Sequence, residues 1–167
     1  EPATPKDELV AAPEDRALLR TTARRTWRYF EAFTGPDENH LPPDNFQEDP
    51  KPVIAHRTSP TNIGLYLLSV ASAREFGWIN AVTAVERIEA TLATVHRLEK
   101  LNGHLLNWYD TQSLAPLEPR YVSSVDSGNL AGHLLAVANM CRQWCQHPAP
   151  AAERLEGLND VLTILRE

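Results

Sequence analysis

The chain has 167 residues, 43% of them hydrophobic, which is enough for one substantial core and typical of a single domain. Its formal net charge of -6 provides no basic stripe for phosphates, which excludes a nucleic-acid surface. Because no apolar run approaches the ~20 residues that a membrane-spanning helix needs, we expect a soluble segment.

Residues 1–13 hold three prolines among charged side chains, which predicts a linker or a disordered start. The folded domain is therefore expected to occupy residues 14–167. A first helix is predicted from about Glu14 to Phe33, because apolar residues recur there at intervals of three and four. Its apolar positions are Leu19, Ala23, Trp27, Phe30 and Phe33.

A long loop is predicted from Pro36 to Ser59, because its five prolines fix backbone angles that exclude a long helix or a central strand. Loops of this length usually bind something or belong to a larger assembly. Ser59 followed by Pro60 is a helix-start signal, so a second helix is predicted from there to Gly77. Its apolar positions are Ile63, Tyr66, Leu67, Val70 and Ala71.

The third helix is predicted from about Asn80 to Leu101, and the sequence Asn102-Gly103 is interpreted as its left-handed end. Apolar residues again recur at helical spacing, so one face of this helix should be turned toward the core. The positions expected to face inward are Val85, Ile88, Leu92, Val95 and Leu98.

A second long loop, 104–124, follows, with a candidate extended piece at 105–109. The fourth helix is predicted to start near Asp126 or Ser127 and to stop at the sequence Gln146-His147-Pro148. A last helix is predicted at about 149–165. The apolar positions of these two helices are Leu130, Leu134, Val137, Cys141 and Trp144, then Leu155, Leu158, Leu162 and Leu165.

Helices separated by long loops, without a run of alternating strands, predict an all-α fold. The pattern favours an incomplete (α/α)6-barrel-like helical toroid, built of antiparallel helix hairpins with long loops at one end, because a plain bundle would tolerate shorter connections. Cys141 and Cys145 are predicted to bind no metal and to form no disulfide, since side chains four residues apart on one helix are poorly directed for bridging.

Three polar clusters lie in loops or at helix starts, at residues 56–62, 107–111 and 123–129. Sugar binding needs planar side chains that hydrogen-bond hydroxyl groups, and an aromatic ring against the C–H face of a pyranose. The clusters supply both, so we predict a carbohydrate-binding face, with no signal for a cofactor. Its candidate residues are Arg57, Asn62, Asn107, Trp108, Tyr109, Asp110, Ser124, Asp126 and Asn129.

Structural explanations for several of these residues stay open. Ser59 and Asp126 can serve as helix caps, which contribute about 1 kcal/mol each. Trp108 can pack on the core as a loop aromatic. Structural hydrogen bonding is predicted for the three histidines near the clusters, which are His56, His104 and His133.

Glycoside cleavage requires two positioned carboxyl groups, one protonated and the other acting as nucleophile or base. Asp110 is the one catalytic candidate, because burial by Trp108 and Tyr109 would raise its pKa. Asp126, at a predicted helix N-terminus, is expected to stay ionised and to support the substrate. The carboxylates in loops are Asp44, Glu48, Asp49, Asp110, Glu118 and Asp126.

Four long strings in these regions make the sequence recognisable: residues 41–47 (LPPDNFQ), 57–68 (RTSPTNIGLYLL), 107–111 (NWYDT) and 119–134 (PRYVSSVDSGNLAGHL). Over roughly residues 25 to 145 the chain resembles cyclic β-1,2-glucan synthases. These are very large bacterial membrane proteins. They carry a glycosyltransferase region, a central glycoamylase-like (α/α)6 domain that cyclises the glucan by transglycosylation, and a phosphorylase-like region.

The resemblance implies that residues 14–167 are the N-terminal part of the central domain, which binds and transglycosylates β-1,2-glucan. The implied partners are a β-glucan oligosaccharide and the remaining parts of the same polypeptide, on the cytoplasmic side of an inner-membrane parent. Asp110 and Asp126 match cleft residues, whereas the principal acid and nucleophile are expected from glutamates beyond Glu167. This chain alone is therefore expected to be inactive.

Two alternatives stay open: a non-catalytic glucan-binding or scaffold module with the same fold, and a generic helical interaction domain. If the toroid is correct, Arg57, Asn62, Asp110 and Asp126 should converge on one face, because loops from the same end of successive hairpins meet at the cavity mouth. Apolar helix faces that await further hairpins also predict self-association.

Overall fold

Most of the chain is helical. The structure, a computed structural model, describes residues 11–146 and 151–166, so most of the predicted linker and the predicted stop at His147-Pro148 lie outside the described residues. The helices are α1 (Pro13–Phe33), α2 (Pro60–Glu75), α3 (Ala81–Arg97), α4 (Ser124–Gln146) and α5 (Ala151–Arg166). The prediction of a mainly helical fold is thus confirmed.

The long loops contain short regular segments that the prolines did not reveal. A single 3-10 turn, Pro36–Glu38, follows α1, and three antiparallel pairs of two-residue strands form in the loops. The pairs are β1 (Phe46–Gln47) with β2 (Val53–Ile54), β3 (Arg57–Thr58) with β6 (Tyr109–Asp110), and β4 (Lys100–Leu101) with β5 (His104–Leu105). Of these, β3–β6 joins the two long loops to each other.

Two helix starts follow local capping chemistry and confirm the prediction. The hydroxyl Oγ of Ser59 accepts a hydrogen bond from the backbone N–H of Asn62 at 3.2 Å, ahead of α2. Ahead of α3, Asn80 Oδ1 accepts from the backbone N–H of Thr83 at 2.8 Å. Each bond satisfies a backbone donor that has no partner inside the helix.

Two predicted boundaries are wrong. Helix α3 ends at Arg97, and the sequence Asn102-Gly103 instead forms the turn of the β4–β5 hairpin, with φ values of 52° and 84°. Two successive positive φ values suit a tight hairpin as well as a helix end. Helix α4 begins at Ser124, because Ser123 Oγ accepts a hydrogen bond from the backbone N–H of Asp126 at 3.1 Å. Asp126 therefore lies within the first turn and is not the cap.

Helix α2 lies at the centre of the core. Its Ile63, Leu67 and Val70 have no exposed surface, and it packs against α1, α3 and, most extensively, α4. Gly64 permits the close approach of α4, since a Cβ at that position would lie 2.8 Å from Nδ1 of His133. The predicted apolar face of α2 is confirmed.

Helices α2 and α4 run in the same direction. Thr61 Oγ1 donates to Asp126 near the start of both helices, and Trp144 Nε1 donates to Glu75 near the end of both. Their N-terminal ends, and the loops that lead into them, therefore lie side by side.

Helix α5 docks on α1 through a face other than its leucine stripe. The carboxylate of Asp160 accepts hydrogen bonds from Arg20, at 2.7 Å from Nη2, and from Trp78 Nε1, at 2.8 Å. Gly157 sits against the turn after α2, where a Cβ would lie 2.5 Å from the carbonyl oxygen of Gly77. The four leucines of the stripe stay between 49% and 76% exposed; they are Leu155, Leu158, Leu162 and Leu165.

Two residues of α3 that were expected to face the core, and one apolar residue of α1, are also exposed. Leu19 of α1 is 63% exposed, and Val85 and Leu92 of α3 are 41% and 38% exposed. Spacing identifies which residues share a face, but it does not identify which neighbour covers that face. The inward orientation predicted for Val85 and Leu92 is therefore wrong within the described residues.

Candidate functional site

The β3–β6 pair brings the two long loops together beside the N-terminal ends of α2 and α4. In its register Arg57 lies opposite Asp110, and Thr58 lies opposite Tyr109. Ser59 follows β3 directly and caps α2, so the side chains of the first turn of α2 lie beside this strand pair. Two segments that are distant in the sequence, residues 57–62 and 109–110, thus contribute to one polar face.

Asp44 is the hydrogen-bonding centre of one half of this face. Its Oδ2 accepts from Arg57 Nη2 at 3.0 Å and from Arg57 Nε at 3.2 Å, while its Oδ1 accepts from Asn62 Nδ2 at 3.2 Å. The guanidinium carbon of Arg57 lies 5.3 Å from the ring centre of Trp108, within the range of a cation–π contact. The carboxylate therefore holds the guanidinium against the indole.

Thr61 is the centre of the other half. Its hydroxyl donates to Asp126 Oδ1 at 2.6 Å and accepts from Asn129 Nδ2 at 3.2 Å. Thr61 and Asn62 are neighbours in the first turn of α2, so the two halves adjoin. The predicted convergence of Arg57, Asn62, Asp110 and Asp126 is therefore observed.

Asp110 is held as an ionised carboxylate. Its Oδ1 accepts from the backbone N–H of Ser113 at 2.7 Å, from the Ser113 hydroxyl at 2.8 Å and from the backbone N–H of Gln112 at 3.0 Å. These donors, the Ser113 N–H above all, lower the pKa of Asp110 below its usual value. The expectation of a raised pKa is wrong, because hydrogen bonds outweigh the desolvation that would have raised it.

Asp126 also has a lowered pKa. Burial acts to raise it, but the hydrogen bonds that its carboxylate receives from Ser123, Thr61 and Ser59 together outweigh burial. The expected ionised state is confirmed. Its main support comes from hydroxyl groups on neighbouring segments.

The polar cluster at residues 107–111 contributes less exposed surface to the face than its sequence predicts. Tyr109 is completely buried, and its hydroxyl donates to the carbonyl of Glu99 at 2.7 Å and accepts from the Leu106 N–H at 2.6 Å. It has no free ring face for a sugar, so its predicted role as an aromatic platform is wrong. Asn107 is only 6% exposed. Trp108 is partly exposed, and Ser124 and Asn129 are exposed on the first turns of α4.

Glu38 is a buried carboxylate that no motif in the sequence indicates. It is 5% exposed, it accepts a hydrogen bond from the hydroxyl of Thr111, and its Oε1 lies 2.7 Å from Nδ1 of His56. This arrangement confirms a structural hydrogen bond for His56. The sequence does not reveal the role of Glu38, because its partners His56 and Thr111 are 18 and 73 residues away.

The other two histidines differ from His56. His104 is exposed in the β4–β5 hairpin. His133 Nδ1 is buried without a hydrogen-bond partner in the described part of the chain, so the predicted structural bond is not found there. Within residues 11–146 and 151–166 no group of three or more His, Cys, Asp or Glu side chains could hold a metal, and Cys141 and Cys145 are free thiols.

Comparison with known proteins identifies the relatives of this chain. Residues 21–138 match the model of a family described as Protein of unknown function (DUF3131). The chain is 59% identical over 163 residues to the cyclic β-(1,2)-glucan synthase NdvB of Rhizobium meliloti, covering 97% of this chain and 6% of that protein. The predicted resemblance is thereby confirmed. The chain spans only a small part of the length of this relative.

A solved structure extends the comparison to the fold. A glucoamylase-like protein of Bacteroides fragilis superposes with a TM-score of 0.66 and 17% identity, over 94% of this chain and 37% of that one. At this identity the similarity concerns the fold alone. In the described part of the chain, no helix has the length and apolarity needed to cross a membrane.

Proposed function

We propose that this chain, which belongs to the DUF3131 family, supplies one wall of the glucan-binding cleft in an enzyme domain that transglycosylates and cyclises β-1,2-glucan. The observation that carries the proposal is the polar face around Asp44 and Thr61, assembled beside the partly exposed Trp108. The identity to a cyclic β-(1,2)-glucan synthase supplies the substrate class.

The chemistry of the face suits an uncharged, hydroxyl-rich ligand. The side chains of Asn62, Asn129 and Asp126 combine planar donors and acceptors, which can pair with adjacent sugar hydroxyls. The indole of Trp108 offers an apolar surface for the C–H side of a pyranose ring. Arg57 is the one guanidinium of this cluster, and it is already paired with Asp44.

The proposed architecture is an incomplete (α/α)6-like toroid that the remaining parts of a longer polypeptide complete. Support comes from α2 and α4, which run in the same direction as the inner helices of successive hairpins would, and from the exposed leucine face of α5. In this proposal the segment lies outside the bilayer, on the cytoplasmic side of an inner-membrane parent.

The face binds the glucan, and the bond-breaking groups lie elsewhere in the domain. A general acid must be protonated at working pH, but the pKa values of both Asp110 and Asp126 are lowered. This argues against the proton-donor role considered for Asp110 and favours a role for both carboxylates in binding hydroxyls or in stabilising positive charge. The isolated chain is therefore expected to be inactive toward β-1,2-glucan.

Trp108 provides the test of the binding face. Linear and cyclic β-1,2-glucan are titrated calorimetrically into the wild-type chain and into Trp108→Ala, and we expect the substitution to weaken binding about tenfold, because a stacked ring is lost. Trp144→Phe, a change at the opposite end of α2 and α4, is the matched control and should bind like the wild type. Equal affinity of wild type and Trp108→Ala would reject the proposed face.

The same titration separates the alternatives. A generic helical interaction domain would bind no glucan. A non-catalytic glucan-binding module would bind it in the same way, and activity of the full-length parent distinguishes that case: Asp110→Asn and Asp126→Asn should each reduce turnover strongly if the cleft belongs to an active domain.

A further inference from the structure

The carboxylate of Asp44 accepts four hydrogen bonds from three side chains. Besides the bonds from Arg57 and Asn62, its Oδ2 accepts from Asn45 Nδ2 at 3.0 Å. The side chain of Asp44 is 20% exposed, whereas that of Arg57 is 51% exposed. The carboxylate therefore lies beneath the guanidinium, and the guanidinium presents itself to solvent.

The donors of Arg57 are divided between the protein and the solvent. Nε and Nη2 are engaged by Asp44, and the guanidinium lies over Trp108. In the part of the chain that the structure describes, Nη1 donates no hydrogen bond to the protein. A fork held on one side by a carboxylate is preorganised, so the remaining donors meet a ligand with little further loss of side-chain freedom.

Asn62 is oriented by the same carboxylate. Its amide nitrogen donates to Asp44 Oδ1, which determines the direction in which the amide oxygen points. One carboxylate thus orients two side chains from different segments, the strand β3 and the first turn of α2. Removing the Asp44 carboxylate would therefore free the side chains of Arg57 and Asn62 without changing either residue.

We propose that Asp44 is a positioning residue of the glucan-binding face, which holds the Arg57 guanidinium against Trp108 and orients the Asn62 amide toward the ligand. It acts through these two side chains and does not itself contact the glucan. The inference rests on the proposed function, because the ligand it serves is the β-1,2-glucan of that site.

The test is a double-substitution cycle on the full chain, with glucan affinity measured by calorimetry. Asp44→Asn and Arg57→Ala should each weaken binding of linear β-1,2-glucan about tenfold, and the double variant should bind no more weakly than the weaker single variant. Asp37→Asn, the same change at an exposed aspartate, is the control and should bind like the wild type. Wild-type affinity in Asp44→Asn, or losses that multiply in the double variant, would overturn the proposal.

A second measurement needs no glucan. In NMR spectra of the labelled chain, the Nε–Hε signal of Arg57 should shift in Asp44→Asn and stay unchanged in Asp37→Asn, because Asp44 accepts from Nε. An Arg57 signal unchanged by Asp44→Asn overturns the positioning role even if glucan binds. A wild-type chain that binds no glucan overturns the proposed function, and with it the role of Asp44 in glucan binding.

Discussion

Asp110 and Asp126 are both kept ionised, although their surroundings differ. Asp110 closes a turn on its own loop through the N–H and hydroxyl of Ser113. Asp126 instead receives a hydroxyl from Thr61, on another helix. The first arrangement shapes a loop and the second ties α4 to α2, so the two carboxylates stabilise the polar face from its two sides.

This predicts an acid-sensitive fold. Since both carboxylates have folded-state pKa values below their ordinary 3.8, the stability they contribute is fully present above the unfolded-state pKa. It is lost as the pH falls through the lower folded-state values. Urea unfolding between pH 7 and pH 2.5 should show this loss in the wild type and a smaller loss in Asp126→Asn, which has no charge to neutralise there. An identical pH dependence in both would contradict the assignment.

At the scale of elements, α5 makes one very close backbone contact in addition to its ion pairs. Gly157 lies so near the turn after α2 that a Cβ would be 2.5 Å from the backbone oxygen of Gly77, and backbone cannot move aside as a flexible side chain can. The ion pair between Arg20 and Asp160, at 2.7 Å, also depends on this approach. A larger residue should therefore separate α5 from α1 and weaken the ion pair at the same time.

Gly157→Ala is expected to destabilise the fold by about 1–3 kcal/mol through overpacking. Gly132→Ala is the matched control on α4, where nothing lies within 4 Å of the added Cβ, and its better helix propensity should stabilise by about 1 kcal/mol. Thermal unfolding measures both effects. Hydrogen exchange should show the loss of protection concentrated in α5, and unchanged protection there would contradict the proposed contact.

The sequence predicts those features of the fold that depend on interactions between residues close together in the chain. The starts of α2 and α3 were predictable because Ser59 and Asn80 cap residues only three positions away. Asn102 and Gly103 were read wrongly because a positive φ serves a helix end and a hairpin equally well.

Long-range pairing explains the other differences. The sequence reveals the polar clusters, but it does not reveal that Tyr109 is buried. Tyr109 lies opposite Thr58 in a strand pair that directs its ring into the core, and no local sequence pattern indicates this pairing. The same holds for the bonds that Glu38 makes to His56 and Thr111. The sequence identifies Asp44 only as a loop carboxylate, because the partners Arg57 and Asn62 are 13 and 18 residues away.

At the scale of the whole molecule, the leucine face of α5 is an apolar surface that no other described part of the chain covers. Its four leucines lie at helical spacing on one face and stay at least 49% exposed. We expect the isolated chain to self-associate through this face. In analytical ultracentrifugation, Leu158→Glu combined with Leu162→Glu should shift the chain toward the monomer.

The control for that experiment is Val82→Glu, because Val82 is a single residue of α3 that is 67% exposed. A charge at that position should leave the association unchanged, so an equal effect would indicate a general gain in solubility. A wild-type chain that is monomeric at all concentrations tested would contradict the expectation.

Calorimetric titration of the wild-type 167-residue chain with β-1,2-glucan tests whether this chain carries a glucan-binding face. We expect saturable binding of linear and cyclic β-1,2-glucan that Trp108→Ala weakens about tenfold, with no release of new glucan products. Absence of binding, or binding that Trp108→Ala leaves intact, would contradict it.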